Sequence, residues 1–377
     1  MTRDGDVRIE RIRVSELPAF AAHAGATSRD GGVVPISLVR AAAQAKNPHA
    51  QPDDIGLLVA YAGQVRVGYL GLLPGLVRVD GASHPMSWLS MWYVAPESRR
   101  QAAGVKLMLQ AMRLGRDVAV TNFAPATSGI YAGLRWKALG PLRFPVLRLN
   151  RINTLAAPLL MLRRRLGRTG AGHPLVDRAL SVAKAPVKRL FYQLALGSLR
   201  ASLEAITVRP LTRVDDAAFE REEDRLAPVR FFRGARTINW TLENPWTVTE
   251  GAGATPGYFF RYAAVDLQRA RDGRSLGFLV TAIADRGEAR SLAVLDDQVH
   301  DPEDKVHALA VTLQLAARHG ADLVSVPPAW WPVIARSTLL SATFGEGELG
   351  YFRWGDRLTP HASRLTLALS DGDLPFT

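Results

Sequence analysis

One order of elements occurs twice in this chain, and that repetition limits its fold more than any other feature. The first 150 residues read as strand, helix, several strands, helix, strand, helix and strand, and residues 206–357 repeat the order. VRIERIRVSELPAF from Val7 and ITVRPLTRVDDAAF from Ile206 each set an alternating strand before a helix, with Ser15 and Asp215 as the expected N-caps. A helical stretch then ends in Asn47-Pro48 in one half and Asn244-Pro245 in the other, because proline disfavours helical geometry in the residue before it. LLVAYAGQVRVGYLGLL predicts a hairpin turning at Ala62-Gly63, and YFFRYAAVDLQRARDGRSLGFLVTAI repeats it. LMLQAMRLGRDVAVTNF and VTLQLAARHGADLVSVPP are each a helix tail, a glycine stop (Gly115, Gly320) and a β-branched strand. A chain of 377 residues has room for both copies as separate domains. The expected boundaries are 1–150 and 205–377, with 151–204 as a helical linker.

Most of the charge lies in the linker region. The net charge is +12, yet Arg143 to Arg200 alone holds twelve Lys and Arg against one acid, Asp177, a local excess of eleven. In its second helix Val187, Leu190, Phe191 and Leu194 fall at i, i+3, i+4 and i+7, an apolar face with Lys184, Lys188 and Arg189 elsewhere. Such a helix is a connector packed on one domain, a contact with an anionic membrane surface, or a nucleic-acid contact, the last being the weakest of the three. The longest suspicious apolar run, TLAAPLLML from Thr154, is well short of the roughly 18 residues that cross a bilayer. With no cysteines the chain has no disulfide, thiolate nucleophile or cysteine metal site, and no N-terminal apolar core resembles a signal peptide. A cytoplasmic protein, peripheral to a membrane if the linker docks there, is the expectation.

The stretch YVAPESRRQAAGVKLMLQAM, Tyr93 to Met112, carries the chemistry. Unpaired N–H groups at a helix start and the helix dipole attract anions. Small residues at Ala102, Ala103 and Gly104 would let a phosphate approach them. Arg99, Arg100 and Lys106 add positive charge and Gln101 a neutral donor, so a pyrophosphate is the natural guest.

These residues, after the strand WLSMWYV, resemble motif A of the GCN5-related N-acetyltransferase superfamily, a strand ending in V-x-P followed by R/Q-x-x-G-x-G/A at a helix start. Lys106 departs from the family's Gly or Ala. The resemblance covers roughly residues 5 to 150. It implies an α/β (α+β) fold of two tandem acyl-CoA N-acyltransferase-like domains, each a mixed, mostly antiparallel sheet flanked by helices. It further implies acetyl-CoA or another acyl-CoA as co-substrate, held through Gln101 to Gly104, with the backbone near Met91, Tyr93 and Val94 pairing with the pantetheine arm. Asn122 would stand at the mouth of the cleft that receives the thioester.

SGIYAGLRWKALG resembles the family's following helix, with Tyr131 matching its tyrosine and Arg135 replacing its glycine. Tyr131 is then the acid for the leaving thiolate, or a core tyrosine. No carboxylate lies on HPMSWLSMWYV, which leaves His84 or a water chain as the base.

In the second copy, residues 301–309, DPEDKVHAL, fall opposite 97–105, so Glu303 and Asp304 replace Arg99 and Arg100. Carboxylates there would repel a pyrophosphate, and the second domain reads as a cofactor-free copy. His300 and His307 lack a third ligand at suitable spacing, so no metal site is expected. Trp240, Trp246, Trp330, Trp331 and Trp354 are core anchors or the lining of a sugar or lipid groove. The acceptor is an amine, small or lipid-linked, such as an amino sugar of envelope polysaccharide assembly. An aminoacyl transferase of the FemABX type and a non-catalytic scaffold on the same fold remain alternatives.

Overall fold

The computed structural model describes residues 7–27, 34–115, 117–121, 127–139, 143–149, 186, 188–215, 229–244, 258–286, 289–299, 301–337, 340, 342–346 and 350–367. The first strands and helices are β1 (Val7–Arg13), α1 (Leu17–Thr27), α2 (Leu38–Ala45), β2 (Ile55–Ala62), β3 (Val65–Val79), β4 (Ala82–Val94), α3 (Ala103–Met112), β5 (Asp117–Val120), α4 (Ser128–Gly133), β6 (Lys137–Ala138) and β7 (Arg143–Arg148). After them come helix α5 (188–198), α6 (Arg200–Glu204), β8 (Ile206–Leu211), β9 (Val229–Phe232), α7 (Ala235–Glu243), β10 (Tyr258–Arg269), β11 (Ser275–Arg286) and β12 (Arg290–Asp297). The chain closes with α8 (Lys305–Arg318), β13 (Leu323–Ser325), α9 (Trp331–Ala335), β14 (Ala342–Glu346), β15 (Tyr351–Arg353) and β16 (Leu365–Thr366).

Two compact units result: residues 1–142, 212–254 and 347–377, and residues 143–211 and 255–346. In the first unit β1 to β4 are antiparallel neighbours, β5 joins β4 in parallel, and β15 follows antiparallel to β5. The second repeats the plan: β8, β10, β11 and β12 are antiparallel, β13 joins β12 in parallel, and β7 follows antiparallel to β13. Two tandem copies of one mixed, mostly antiparallel fold are therefore present, as the repeated order of elements predicts.

The units are not the contiguous stretches 1–150 and 205–377. The sixth strand of each sheet comes from the other half of the sequence: β7 joins the second sheet and β15 the first. β9 also lies in the first sheet, beside the lower half of β3. α7 packs in the same unit, where Trp240 donates its indole N–H to the Ala43 carbonyl at 2.8 Å. A repeat in sequence orders the strands but does not fix which edge each one joins, because any unpaired sheet edge offers the same backbone donors and acceptors.

The turn residues act as expected. Gly63 turns the β2–β3 hairpin, and Gly115 and Gly320 follow α3 and α8, all with φ between +60° and +73°. Ser15 does not cap a helix; its hydroxyl donates to the Pro52 carbonyl at 2.9 Å. α3 buries Ala103, Leu107, Met108 and Ala111 against the first sheet, one stripe of its surface.

α5 turns a face inward other than the one its apolar residues suggest. Tyr192 and Ala195 are buried in the core of the second unit and Phe191 is packed against it, whereas Leu190 and Leu194 are 53% and 51% exposed. Lys188 decides the rotation. Its Nζ meets Asp322 Oδ1 at 3.1 Å and the Gly320 carbonyl at 2.8 Å, while Tyr192 donates its hydroxyl to the Ala321 carbonyl at 2.8 Å. Lys188→Met, which removes the cation from a largely buried carboxylate and leaves it the Arg290 N–H, should cost the second unit about 3 kcal/mol in chemical denaturation. A loss below about 0.5 kcal/mol, the range of a surface change, would show that the lysine does not hold the helix. Among the described residues no helix is long and apolar enough to cross a membrane. Residues 151–185 of the basic segment lie outside the described ones.

Candidate functional site

The site is built where β4 leaves β5. The two strands pair in parallel from Met86–Asp117 to Trp88–Ala119, and β4 then runs six residues further, to Val94. On the other side β4 stays paired with β3, but the register slips between Tyr69 and Gly71, opposite a bulge at Met91, whose φ is +52°. Gly68 and Gly71 admit the bulge: a β-carbon on Gly71 would lie 2.8 Å from Ser90 Oγ, and one on Gly68 2.8 Å from the Tyr93 carbonyl oxygen. The gap between β4 and β5 thus opens beside a backbone already forced off the regular ladder.

Beyond Val94 the chain makes a 3-10 turn, Pro96–Gln101, and enters α3 through Ala102 at φ +56°. No side chain caps α3, so its first N–H groups stay available to a ligand. Gln101 and Ala102 are exposed and Ala103 is buried. Arg99 is exposed, its Nε donating to the Val94 carbonyl at 3.4 Å. Lys106 faces away from the turn, with Nζ on the Val7 carbonyl at 3.3 Å. Gly104 serves packing: a β-carbon there would lie 3.2 Å from Trp92 Cζ2 and 3.4 Å from Val94 Cγ2. The Arg100 side chain and Asn122 lie outside the described parts of the structure.

Tyr131 is 1% exposed within an aromatic cluster. Its ring stacks on Tyr351 at 5.3 Å, tilts against Trp136 at 5.2 Å and meets the edge of Trp92 at 6.1 Å. The indole N–H groups of Trp92 and Trp136 are buried without a hydrogen-bond partner. Burying a donor unpaired costs about 1–3 kcal/mol, so a guest that brought an acceptor to Trp92 would relieve that cost. A pantetheine amide is of that kind. The donors, the uncapped helix start and the small residues therefore fit an acyl-CoA.

His84, the sequence candidate for the base, is at the far end of β4 from Met91, about 23 Å along an extended strand. It is paired opposite Val77, and burial and then Arg357 push its pKa down, with Asp117 and His361 also nearby. It is excluded as the base. A cavity of about 190 Å³ lined by Asp53, Asp54, Ser87 and Leu114 likewise lies near the end of α3 remote from the turn.

On the opposite sheet face, below α1 and α2, the structure brings Arg40, Ser90 and Tyr69, which the sequence reading did not single out, together with Tyr93. Arg40 donates through Nη2 to Ser90 Oγ at 3.3 Å, and Tyr69 stacks on Tyr93 with ring centroids 5.5 Å apart. The signals were present in the sequence: Arg40 is the one formal charge in α1 and α2, and glycines flank Tyr69 in G-Y-L-G.

His49, in the same unit, meets Thr237 Oγ1 at 2.6 Å through Nε2, and burial, then Arg236, lowers its pKa to about 4. Its neutral form therefore favours folding above pH 6.5, and that contribution is lost as pH falls towards 4. Urea denaturation at pH 7.5 and 4.5 should differ by roughly 2–3 kcal/mol from this residue, a difference that His49→Gln removes. An equal pH dependence in the variant would assign it to other groups.

The second unit keeps the geometry and closes it. β12 and β13 pair only from Ser291–Leu323 to Ala293–Ser325, and β12 carries the same kind of register slip, opposite Val280 and Thr281. Trp330, 0% exposed, donates its indole N–H to Asp297 at the end of β12, bridging the strands beyond their last pair. At the start of α8, His307 Nδ1 meets the Ser202 carbonyl of α6 at 2.9 Å. Trp240 and Trp354 are also core residues, Trp331 is 38% exposed, and Trp246 and His300 lie outside the described residues. No group of three metal-ligating side chains occurs among the described residues.

This is the GCN5-related N-acetyltransferase fold, present twice. No family model matches the sequence, and no curated protein matches it. Among solved structures, a GCN5-related N-acetyltransferase from Kribbella flavida aligns with a TM-score of 0.50 at 16% identity, covering 95% of this chain and 73% of its own. A tandem protein of that family from the clavulanic acid biosynthesis pathway aligns at 0.48 and 16%, over 92% of this chain and 98% of its own.

Proposed function

We propose that the first unit transfers an acyl group from acyl-CoA, most simply acetyl-CoA, to an amine, and that the second binds no acyl-CoA. The observation that carries the reading is the parting of β4 from β5 past Trp88, beside the Met91 bulge and below the uncapped start of α3. Backbone amides of Gln101 to Gly104, with the charge of Arg99, hold the pyrophosphate. The backbone of Met91, Tyr93 and Val94 takes the pantetheine arm and supplies donors for the tetrahedral oxyanion. The amine nitrogen bonds to the acyl carbon as the C–S bond breaks. Its proton leaves through water, and Tyr131 supplies a proton to the sulfur. Tyr131 is 1% exposed, so this role requires the thioester to pass the rings that cover it. Lys106, tied to Val7, contributes charge from the flank.

Isothermal titration with acetyl-CoA tests the reading. Binding with a micromolar Kd is expected, and none at millimolar concentration overturns it.

The acceptor is a small or lipid-linked amine, including an amino sugar of envelope polysaccharide assembly. The exposed Leu190 and Leu194 beside Arg189 on α5 support a lipid-linked one met at an anionic membrane surface. Sedimentation of the whole chain with anionic vesicles at low salt checks this. Protein left in the supernatant would remove the membrane from the proposal.

A further inference from the structure

We infer that the second unit has a ligand site of its own beside the start of α8, and that this site takes a single-chain amphiphile whose head carries an ammonium and an oxyanion together. This goes beyond acyl transfer in the first unit and does not rest on it.

A cavity of about 600 Å³ lies there, a size that holds a small ligand. Its floor is the core of the second unit, since Leu309 and Leu340 line it and are 1% and 7% exposed. Leu199, Val306 and Val333, all half-buried, give it apolar walls. The first unit leaves the equivalent helix position open: Val105, the counterpart of Leu309, is 48% exposed. In the second unit α6 is tied to the start of α8, where His307 Nδ1 meets the Ser202 carbonyl at 2.9 Å, and α9 adds Val333. What packs on α8 here therefore encloses a space with an apolar interior.

The mouth of this space is charged. Glu303 and Arg336 line it, both are exposed, and among the described residues neither side chain has a hydrogen-bond or ion-pair partner. Two opposite charges that share a cavity without pairing are matched by a guest that carries both signs. The lining serines are already engaged: Ser198 Oγ donates to the Ala195 carbonyl at 2.8 Å, and Ser337 Oγ accepts the Leu340 N–H at 3.1 Å. Apolar surface continues outward from Ser198. Leu194 and Leu190 lie one and two turns back on the same side of α5 and are 51% and 53% exposed. From Leu190 to Ser198 the helix runs about 12 Å, which suits an extended chain better than a compact side chain.

The test titrates the whole chain calorimetrically, without acetyl-CoA, so its outcome is separate from that of the acyltransferase reading. The probes, kept below their micelle concentrations, are lauroyl lysophosphatidylethanolamine, with both charges, lauroyl lysophosphatidic acid, with the anion only, and dodecylamine, with the cation only. The zwitterion should bind about 10-fold more tightly than either singly charged chain, the strength of one charge-assisted contact, and glycerophosphoethanolamine, the head without the chain, should not bind. Glu303→Gln should remove the preference over the anionic chain and Arg336→Gln the preference over the cationic one. Both positions are exposed, so the melting temperature of each variant should match that of the wild type. No binding of the zwitterionic chain overturns the inference, as does equal binding of all three chains or a preference unchanged in both variants. Leucyl-leucine bound as tightly as the zwitterionic chain would put a peptide in the site and overturn the amphiphile.

Discussion

Ala102→Asp should lower acetyl-CoA affinity at least about 100-fold while the protein melts where the wild type does. Ala102 is exposed, sits at the uncapped start of α3 and has φ +56°, a conformation that Asp tolerates better than most residues. A carboxylate about 5 Å from a pyrophosphate oxygen opposes it by about 3 kcal/mol at an effective dielectric constant of 20. The same charge at a helix N-terminus favours the helix by about 0.3–1 kcal/mol. Binding and folding are thereby pushed in opposite directions, and titration calorimetry with a thermal melt reads both. Unchanged affinity would mean that the turn does not face the pyrophosphate. Gly104→Val cannot make that distinction, because its β-carbon would press on Trp92 and Val94 and damage the packing first.

Trp330→Ala should cost the second unit about 3–5 kcal/mol for the lost volume. Losing the indole donor to Asp297 adds roughly 1–3 kcal/mol. Trp330→Phe keeps most of the volume and loses the donor, so its cost should be close to the smaller figure alone. Denaturant unfolding of the three proteins separates packing from the hydrogen bond. A loss below about 1 kcal/mol in Trp330→Ala would show that the closure between β12 and β13 is dispensable to the fold. That closure and the acids Glu303 and Asp304 are independent supports for the proposal that the second unit binds no acyl-CoA, one steric and one electrostatic.

The legible parts of the site were local ones. A helix start lies within a few residues of the strand before it, so spacing alone placed the turn from Pro96 to Gly104. The glycine stops at Gly63, Gly115 and Gly320 were legible for the same reason, since a positive φ is a property of one residue. Acidic substitution at Glu303 and Asp304 marked the second copy as different without any structure. Misreadings arose where distant residues decided. The apolar spacing of α5 selected Leu190 and Leu194, but Asp322 and the Gly320 carbonyl, more than 130 residues away in sequence, draw Lys188 inward and turn those leucines out. His84 shared a strand with the cleft, and only the length of that strand removes it.

By itself the sequence determined that one α/β fold occurs twice, that a turn and a helix start follow β4, and that the two copies differ in charge at that place. These follow from local chemistry: backbone preference, periodicity, and charge at a helix start. Tertiary structure alone decided that β7 and β15 cross to the other half's sheet, that Lys106 turns to Val7, and that Arg40, Tyr69, Ser90 and Tyr93 share one face beside the Met91 bulge. Each of those depends on free energies of pairing and burial between segments far apart in the chain. A strand edge accepts any partner with a matching ladder, and a half-buried guanidinium goes where distant groups can hold it, so neither outcome is written in the neighbouring residues.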